Sequence, residues 1–426
     1  MAASNVETMN VQHRDTPRLG YDDEHPLPRS CWPTTTQRLL LQACLGGPEL
    51  TRAAFAAWHA RVNVFKLDHG SNRLMALLYR NLERAGVRAP EHEVLKGNWR
   101  YHWYQNKSRL REFSKLQAML AATGIPVVAM KGIPLAAFYY EDIGVRPMAD
   151  VDLLVRRSDA KAAVECLLSY GYLLTLPFKE EQVATKGGRT FFKEGATEVD
   201  LHWSVLHDFN VAWSDEALWA GTQTRTFDGM TVRFLRIEDQ ILHLCSHGMR
   251  YDVVSPLRWL ADVAMVLRRE GHRLDMDYLL GEAGRREMVN PVKRTFAWLE
   301  KHLDLPCAPL LRRGLQQMRP SWSERLDYFW RAYPVKGLPG LVPLWVEHWR
   351  VKVALGEERR HRGFLSFYAR RNKLNGKRAA AAHITLMLVK WVMPWLMRRA
   401  MDWIREFQNE LFRETWDVTR GPAVVV

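Results

Sequence analysis

The sequence predicts an α+β protein: a small mixed sheet near the middle of the chain, flanked by helical N-terminal and C-terminal lobes. Three observations carry this. Short apolar runs with period-two alternation cluster between Pro126 and Leu235, while the segments on either side carry apolar residues at helical intervals. The third is size: 426 residues are enough for two or three cores, at an ordinary 47% hydrophobic and 25% charged content.

Taken in order, residues 1–34 are polar, carry Pro17, Pro26, Pro28 and Pro33, and lack a hydrophobic period, so a disordered tail is expected. Residues 35–125 read as a helical lobe, with helices over Thr35 to Leu45, Thr51 to Val62, Arg73 to Ala85 and Trp99 to Ala122. The last ends at Gly124-Ile125-Pro126, a glycine stop followed closely by proline.

Residues 126–235 read as the sheet-bearing core. Strands are expected at Pro126 to Met130, Asp150 to Val155 and Tyr172 to Leu176, with a hairpin from Arg189 to Phe192 and Glu198 to Trp203. Ser158 is placed to cap a helix, and Arg233 to Leu235 reads as a last edge strand. Residues 236–335 return to helical periodicity, and residues 336–426 form a basic helical region.

The chemistry concentrates in two strands. Successive side chains of a strand point to opposite faces, so Asp150 and Asp152 project together while Val151, Leu153 and Val155 face the interior. In Glu198 to Trp203 the same alternation sets Glu198, Asp200 and His202 opposite Val199, Leu201 and Trp203. If the two strands are neighbours, Asp200 completes a three-carboxylate site. Adjacent carboxylates repel unless a cation lies between them, and hard divalent ions such as Mg²⁺ bind through oxygen. Two ions in such a site suit in-line displacement at phosphorus. Lys131 and Arg146 are the nearest cations for a phosphate chain, and Gly132 lets backbone approach one. Arg189 and His202 are further candidates. A D-x-D alone is more often a solvated acidic face; its company gives this one weight.

These residues resemble the uncharacterised bacterial nucleotidyltransferase family of the DNA-polymerase-β-like superfamily. The similarity lies in MKGIPLAAFYY, GVRPMADVDLLV, SYGY and VDLHW, and continues weakly through FLRIEDQILHLCSHG, LRWLADVAMVL and LMALLYRNLERAG. It covers roughly Thr35 to Leu305. The resemblance implies a nucleotidyltransferase core at 126–235, with Asp150 and Asp152 as the metal-binding pair and Asp200 as the third acid. It also implies NTP as donor, and a helical bundle at 236–335 closing the acceptor pocket. One departure stands out. The superfamily carries Gly-Gly or Gly-Ser shortly before its D-x-D, whereas here Ile133 follows Gly132 and seventeen residues lie between Gly132 and Asp150.

The expected reaction is transfer of an NMP from an NTP to a hydroxyl acceptor, a small molecule or sugar first and a protein second, with release of pyrophosphate. The competing reading is a catalytically idle protein of the same fold that docks to a membrane surface or anionic polymer through residues 350–399. Of the net charge of +14, this segment holds thirteen Lys or Arg against two Glu. Within it, Ala379 to Met397 has only His383 and Lys390 ionisable. A buried helix, an interfacial helix making peripheral membrane contact through 379–399, and a membrane span all fit that pattern, though a central Lys costs a span about 2.5–3.5 kcal/mol. Nucleic acid stands behind these partners, because no RNA-binding motif is present.

Five scattered cysteines without C-x-x-C spacing suggest neither a zinc knuckle nor a disulfide framework. With no basic segment leading an apolar run in the first thirty residues, a cytoplasmic setting is expected, extending to the inner face of the membrane if the helix is interfacial. His243 and His247 are spaced as metal ligands but lack a third, so a packed or pocket-facing role is expected; Asp262 reads as a polar contact between helices.

Overall fold

The computed structural model describes residues 31–332 apart from 181, 182, 184, 185, 207–214, 250–256, 304, 306 and 307. Beyond 332 it describes 341, 344, 345, 348, 363–371, 374–387, 399 and 403. Most of the basic C-terminal segment and of 379–397 therefore lies outside the described residues, as do residues 1–30. Among the described residues, no helix is long and apolar enough to cross a membrane.

Five helices come first: α1 (Thr35–Leu45), α2 (Pro48–His59), α3 (His69–Asn72), α4 (Met75–Ala85) and the 31-residue α5 (His92–Ala122). Thr34 caps α1 through a reciprocal capping box with Gln37, and Gly86 ends α4 with φ of 64°. Strand β1 (Val128–Ala129), the short helix α6 (Gly132–Pro134), a π turn over Leu135–Tyr139 and β2 (Val151–Leu154) follow. Helix α7 (Ala160–Ser169) comes next. Ser158 lies in the 3-10 turn Arg157–Asp159 that leads into it, so the capping position falls to Asp159. Then come β3 (Leu173–Leu174), β4 (Gly188–Phe192), β5 (Val199–His202), α8 (Asp215–Ala220), β6 (Gln223–Phe227) and β7 (Met230–Phe234).

The strands form one mixed sheet of order β3-β4-β5-β2-β1-β7-β6. β2 is antiparallel to β1 and parallel to β5, and β4 and β5 form the expected hairpin. The strand read at Arg233 to Leu235 is not an edge. β7 pairs with β1, and the outer strand is β6, joined to it by an Asp228-Gly229 turn with φ of 52° and 74°. That positive-φ pair is the tight hairpin geometry an Asp-Gly dipeptide favours.

Helices resume with α9 (Ile237–Gly248), α10 (Arg258–Glu270), α11 (Met276–Arg285), α12 (Val289–Leu303), α13 (Pro309–Gln317) and α14 (Trp322–Ala332), and α15 (Phe364–Arg371) follows further on. The sheet separates two cores. Val151, Leu153, Val199 and Leu201 pack with Leu110, Phe113 and Leu120 of α5 and with Val164 and Leu167 of α7. On the other side Val128, Met130, Leu154 and Phe234 join a larger core. It runs without a break from Leu40 and Leu78 to Leu260, Phe296 and Ala332. Helices before and after the sheet thus share one core, tied by Gln42 Nε2 donating to His302 O (3.0 Å) and Cys31 N donating to Ala332 O (3.0 Å).

Candidate active site

Parallel pairing of β2 with β5 sets Asp152 directly beside Asp200, and Leu154 beside His202. Because side chains alternate, both acids leave the face that Val151 and Leu153 bury. Asp152, Asp200 and His202 offer ligand atoms that all lie within 4.8 Å of one another. Two carboxylates and an imidazole suit a divalent cation chemically.

Asp152 is 1% exposed and is met on one oxygen, Oδ1, by two nitrogens: Nζ of Lys131 and, at 3.1 Å, Nε2 of His202. Burial pushes its carboxyl up, but the Lys131 ammonium and His202 outweigh burial and hold it well below the usual carboxylate range. Asp200 accepts a hydrogen bond at Oδ1 from Thr190 Oγ1 (2.6 Å), its neighbour on β4. Lys131 takes an unusual backbone conformation to reach Asp152, with φ of 46° and ψ of −104°. Such a conformation costs on the order of 1–3 kcal/mol and persists where the surroundings enforce it.

Not every expected residue joins this cluster. Asp150 stays outside it, at the end of the loop that leads into β2. Burial, then Asp152, and to a smaller extent Asp200, raise its carboxyl, so it remains within electrostatic reach of both acids. Arg146 is buried and faces elsewhere. Its Nε and Nη2 donate to Oδ1 and Oδ2 of Asp262 on α10 at 2.8 and 2.9 Å, and Tyr140 Oη adds a third bond at 2.8 Å. The cation expected at the phosphates is thus committed to a helix contact. Gly132 is buried, and a Cβ there would meet Met148 Sδ at 2.8 Å, so close packing under the loop accounts for this glycine. Arg189 donates to Gly188 O (2.9 Å). His243 Nδ1 lies 2.9 Å from Val205 O, and among the described residues neither His243 nor His247 joins a metal-ligand cluster.

Three cations near Asp150 escaped the sequence reading: Arg73, Arg109 and Arg258. Asp150 acts electrostatically on the first two, and Arg258 acts on Asp150. All three sit in or beside helices whose periodicity reports burial but not which strand they approach. Only the spacing of Arg258 four residues before Asp262 hints that they share a helix face.

Comparison with known proteins gives one match to a family. The model described as uncharacterised nucleotidyltransferase matches residues 70–304, more than half of the chain. No curated protein matches. Among solved structures, the antibiotic-resistance factor ANT(2'')-Ia is 15% identical with a TM-score of 0.31, over 46% of this chain and 97% of its own. An antigenic nucleotidyltransferase-like protein from Paracoccidioides brasiliensis is 15% identical with a TM-score of 0.29, over 50% of this chain and 95% of its own. These two likenesses are distant, and the assignment rests on the family match. The matched span takes in both acid-bearing strands and the helices packed on them, and the chain belongs to this nucleotidyltransferase family.

Proposed function

We propose that the protein transfers a nucleoside monophosphate from an NTP to a hydroxyl of a small molecule, with a sugar as the first candidate. The observation that carries this reading is the register of Asp152 against Asp200, with His202 beside them. In the reaction the acceptor oxygen bonds to the α-phosphorus, the bond from that phosphorus to the β-bridging oxygen breaks, and pyrophosphate leaves. Asp200, held by Thr190, takes the hydroxyl proton. Asp150 and Asp152 face the donor phosphates. Divalent cations, two Mg²⁺ in this reading, would be held by Asp150, Asp152 and Asp200 with His202 adjacent, and would supply charge neutralisation at the attacking and leaving oxygens. Lys131 supplies positive charge at Asp152 from within the chain. The helices of 236–335 enclose the acceptor, and the setting is cytoplasmic, with 379–399 making any membrane contact.

The test is pyrophosphate release from each NTP with Mg²⁺ and a panel of hydroxyl compounds. Acceptor-dependent release in the wild type, abolished in Asp200→Asn, is expected. Release that survives Asp200→Asn unchanged would contradict the assignment.

A further inference from the structure

The loop that delivers Asp150 is gripped from two sides. From α5, Asn106 Nδ2 donates to Ile143 O (2.5 Å) and Arg146 O (2.8 Å), and its Oδ1 accepts from Met148 N (3.3 Å). From α10, Arg258 Nη1 donates to Pro147 O and Asp262 takes Arg146. On α5 the residues flanking Asn106 on its helix face are basic, and on α10 the two anchors share a face. His102, Asn106 and Arg109 follow i, i+4, i+7 spacing on α5, and Arg258 and Asp262 follow i, i+4 spacing on α10. Arg73 caps the C-terminus of α3 and is in electrostatic reach of Arg146, Asp150 and Asp262.

None of Arg73, Arg109 and Arg258 forms an ion pair among the described residues. Arg109 donates to Gln105 Oε1 (2.9 Å), while its buried Nε finds no hydrogen-bond partner among the described residues. Asp262, a counter-charge within electrostatic reach of Arg73 and Arg258, is spent on Arg146. The cations repel one another: burial, then Arg146 and Arg73, bring the Arg258 guanidinium down to about 9. Burial, then Arg109, Arg258 and Arg73, bring His102 down to about 4. Gathering unpaired guanidinium groups from three helices against one loop costs stability unless an anion completes the set.

We propose that Arg73, Arg109 and Arg258, with His102, form a pocket for the polyphosphate tail of the nucleotide, adjoining Asp150 and formed by helices outside the sheet. The proposal rests on the nucleotidyl-transfer reading and supplies the phosphate grip that the sequence lacks at Gly132-Ile133. Arginine suits this task, since its planar fork matches phosphate oxygens.

The test is calorimetric titration of the full chain with inorganic tripolyphosphate, without divalent metal. Arg109→Ala and Arg73→Ala should each weaken binding about ten- to one-hundred-fold, the loss expected for a charge-assisted hydrogen bond. Their melting temperatures should hold or rise, because a repelling charge has been removed. A purely structural role would lower them. Arg312→Ala, a remote surface control, should leave tripolyphosphate binding intact. No binding by the wild type, equal binding by the arginine variants, or equal weakening in Arg312→Ala would each overturn the pocket. Metal-dependent NTP binding that ignores the arginine variants removes the pocket and spares the nucleotidyl-transfer reading. Tripolyphosphate binding through these arginines with no binding of any NTP does the reverse.

Discussion

Two buried carboxylates, Asp152 and Asp262, each face a cation, and their surroundings differ in a way that separates structure from chemistry. Asp262 is fully satisfied: Arg146 engages both of its oxygens and Tyr140 adds a third bond. Both partners are 3% exposed. Asp152 takes both of its nitrogen partners on one oxygen, and its lysine is held from a positive-φ backbone. Two further acids, Asp150 and Asp200, lie within electrostatic reach of one another around it. The first arrangement is closed. The second holds more negative charge than Lys131 alone balances, which is the property a cation-assisted site needs.

Substitutions that leave one partner behind should sharpen the contrast. The largest effect on stability is expected from Asp262→Ala, which strands the buried Arg146 charge; a loss of about 3–5 kcal/mol is the usual scale. Urea denaturation measures it. Asp152→Asn should cost less than Asp262→Ala in the same experiment. It loses the carboxylate's net attraction to Lys131 and His202, but it also relieves repulsion with Asp150, and Lys131 at 12% side-chain exposure can turn to water. If both variants lose equal stability, the two pairs are alike and the distinction fails.

Lys131→Gly should cost stability, because it leaves the buried Asp152 carboxylate without its ammonium, but less than Asp262→Ala does, because relief of the strained backbone offsets part of the loss. A loss comparable to that of Asp262→Ala would mean that the Lys131 pair is structural.

A smaller, pH-dependent effect comes from a third buried acid. Burial raises the carboxyl of Asp239 on α9 to about 7, against the opposing hydrogen bond from Tyr278 Oη (3.2 Å). A raised acid stabilises the fold below its unfolded value near 4, and that contribution is lost as pH rises towards 7. The melting temperature of Asp239→Asn relative to wild type should therefore climb between pH 4 and 7, with a stability slope of at most about 1.4 kcal/mol per pH unit. A flat difference would show that Asp239 does not titrate in that window.

How far the sequence reveals all this depends on the range of the interaction. Alternation in Val151–Leu154 and Val199–His202 was enough to place Asp152 and Asp200 on shared faces, because strand geometry is local. Pairing of the two strands was conditional in the sequence and is a fact of the fold. Only one strand of the β6–β7 hairpin is legible, although Asp228-Gly229 marks its turn; Gln223–Phe227 alternates too weakly in polarity to stand out as a strand. Arg146 shows the limit. Its neighbours in sequence are the acids, yet its partner lies 116 residues away on a helix. The same holds for Arg73, Arg109 and Arg258, which only the tertiary packing brings towards Asp150.

The most direct test of the central claim is NTP binding by calorimetry, with Mg²⁺ and with EDTA, on wild type and on Asp152→Asn combined with Asp200→Asn. The account predicts that one NTP binds per wild-type chain more tightly with Mg²⁺ than with EDTA, and that the double variant melts normally but loses this Mg²⁺ enhancement. Equal NTP affinity with Mg²⁺ and with EDTA in the wild type, or a Mg²⁺ enhancement that survives in the double variant, would contradict it.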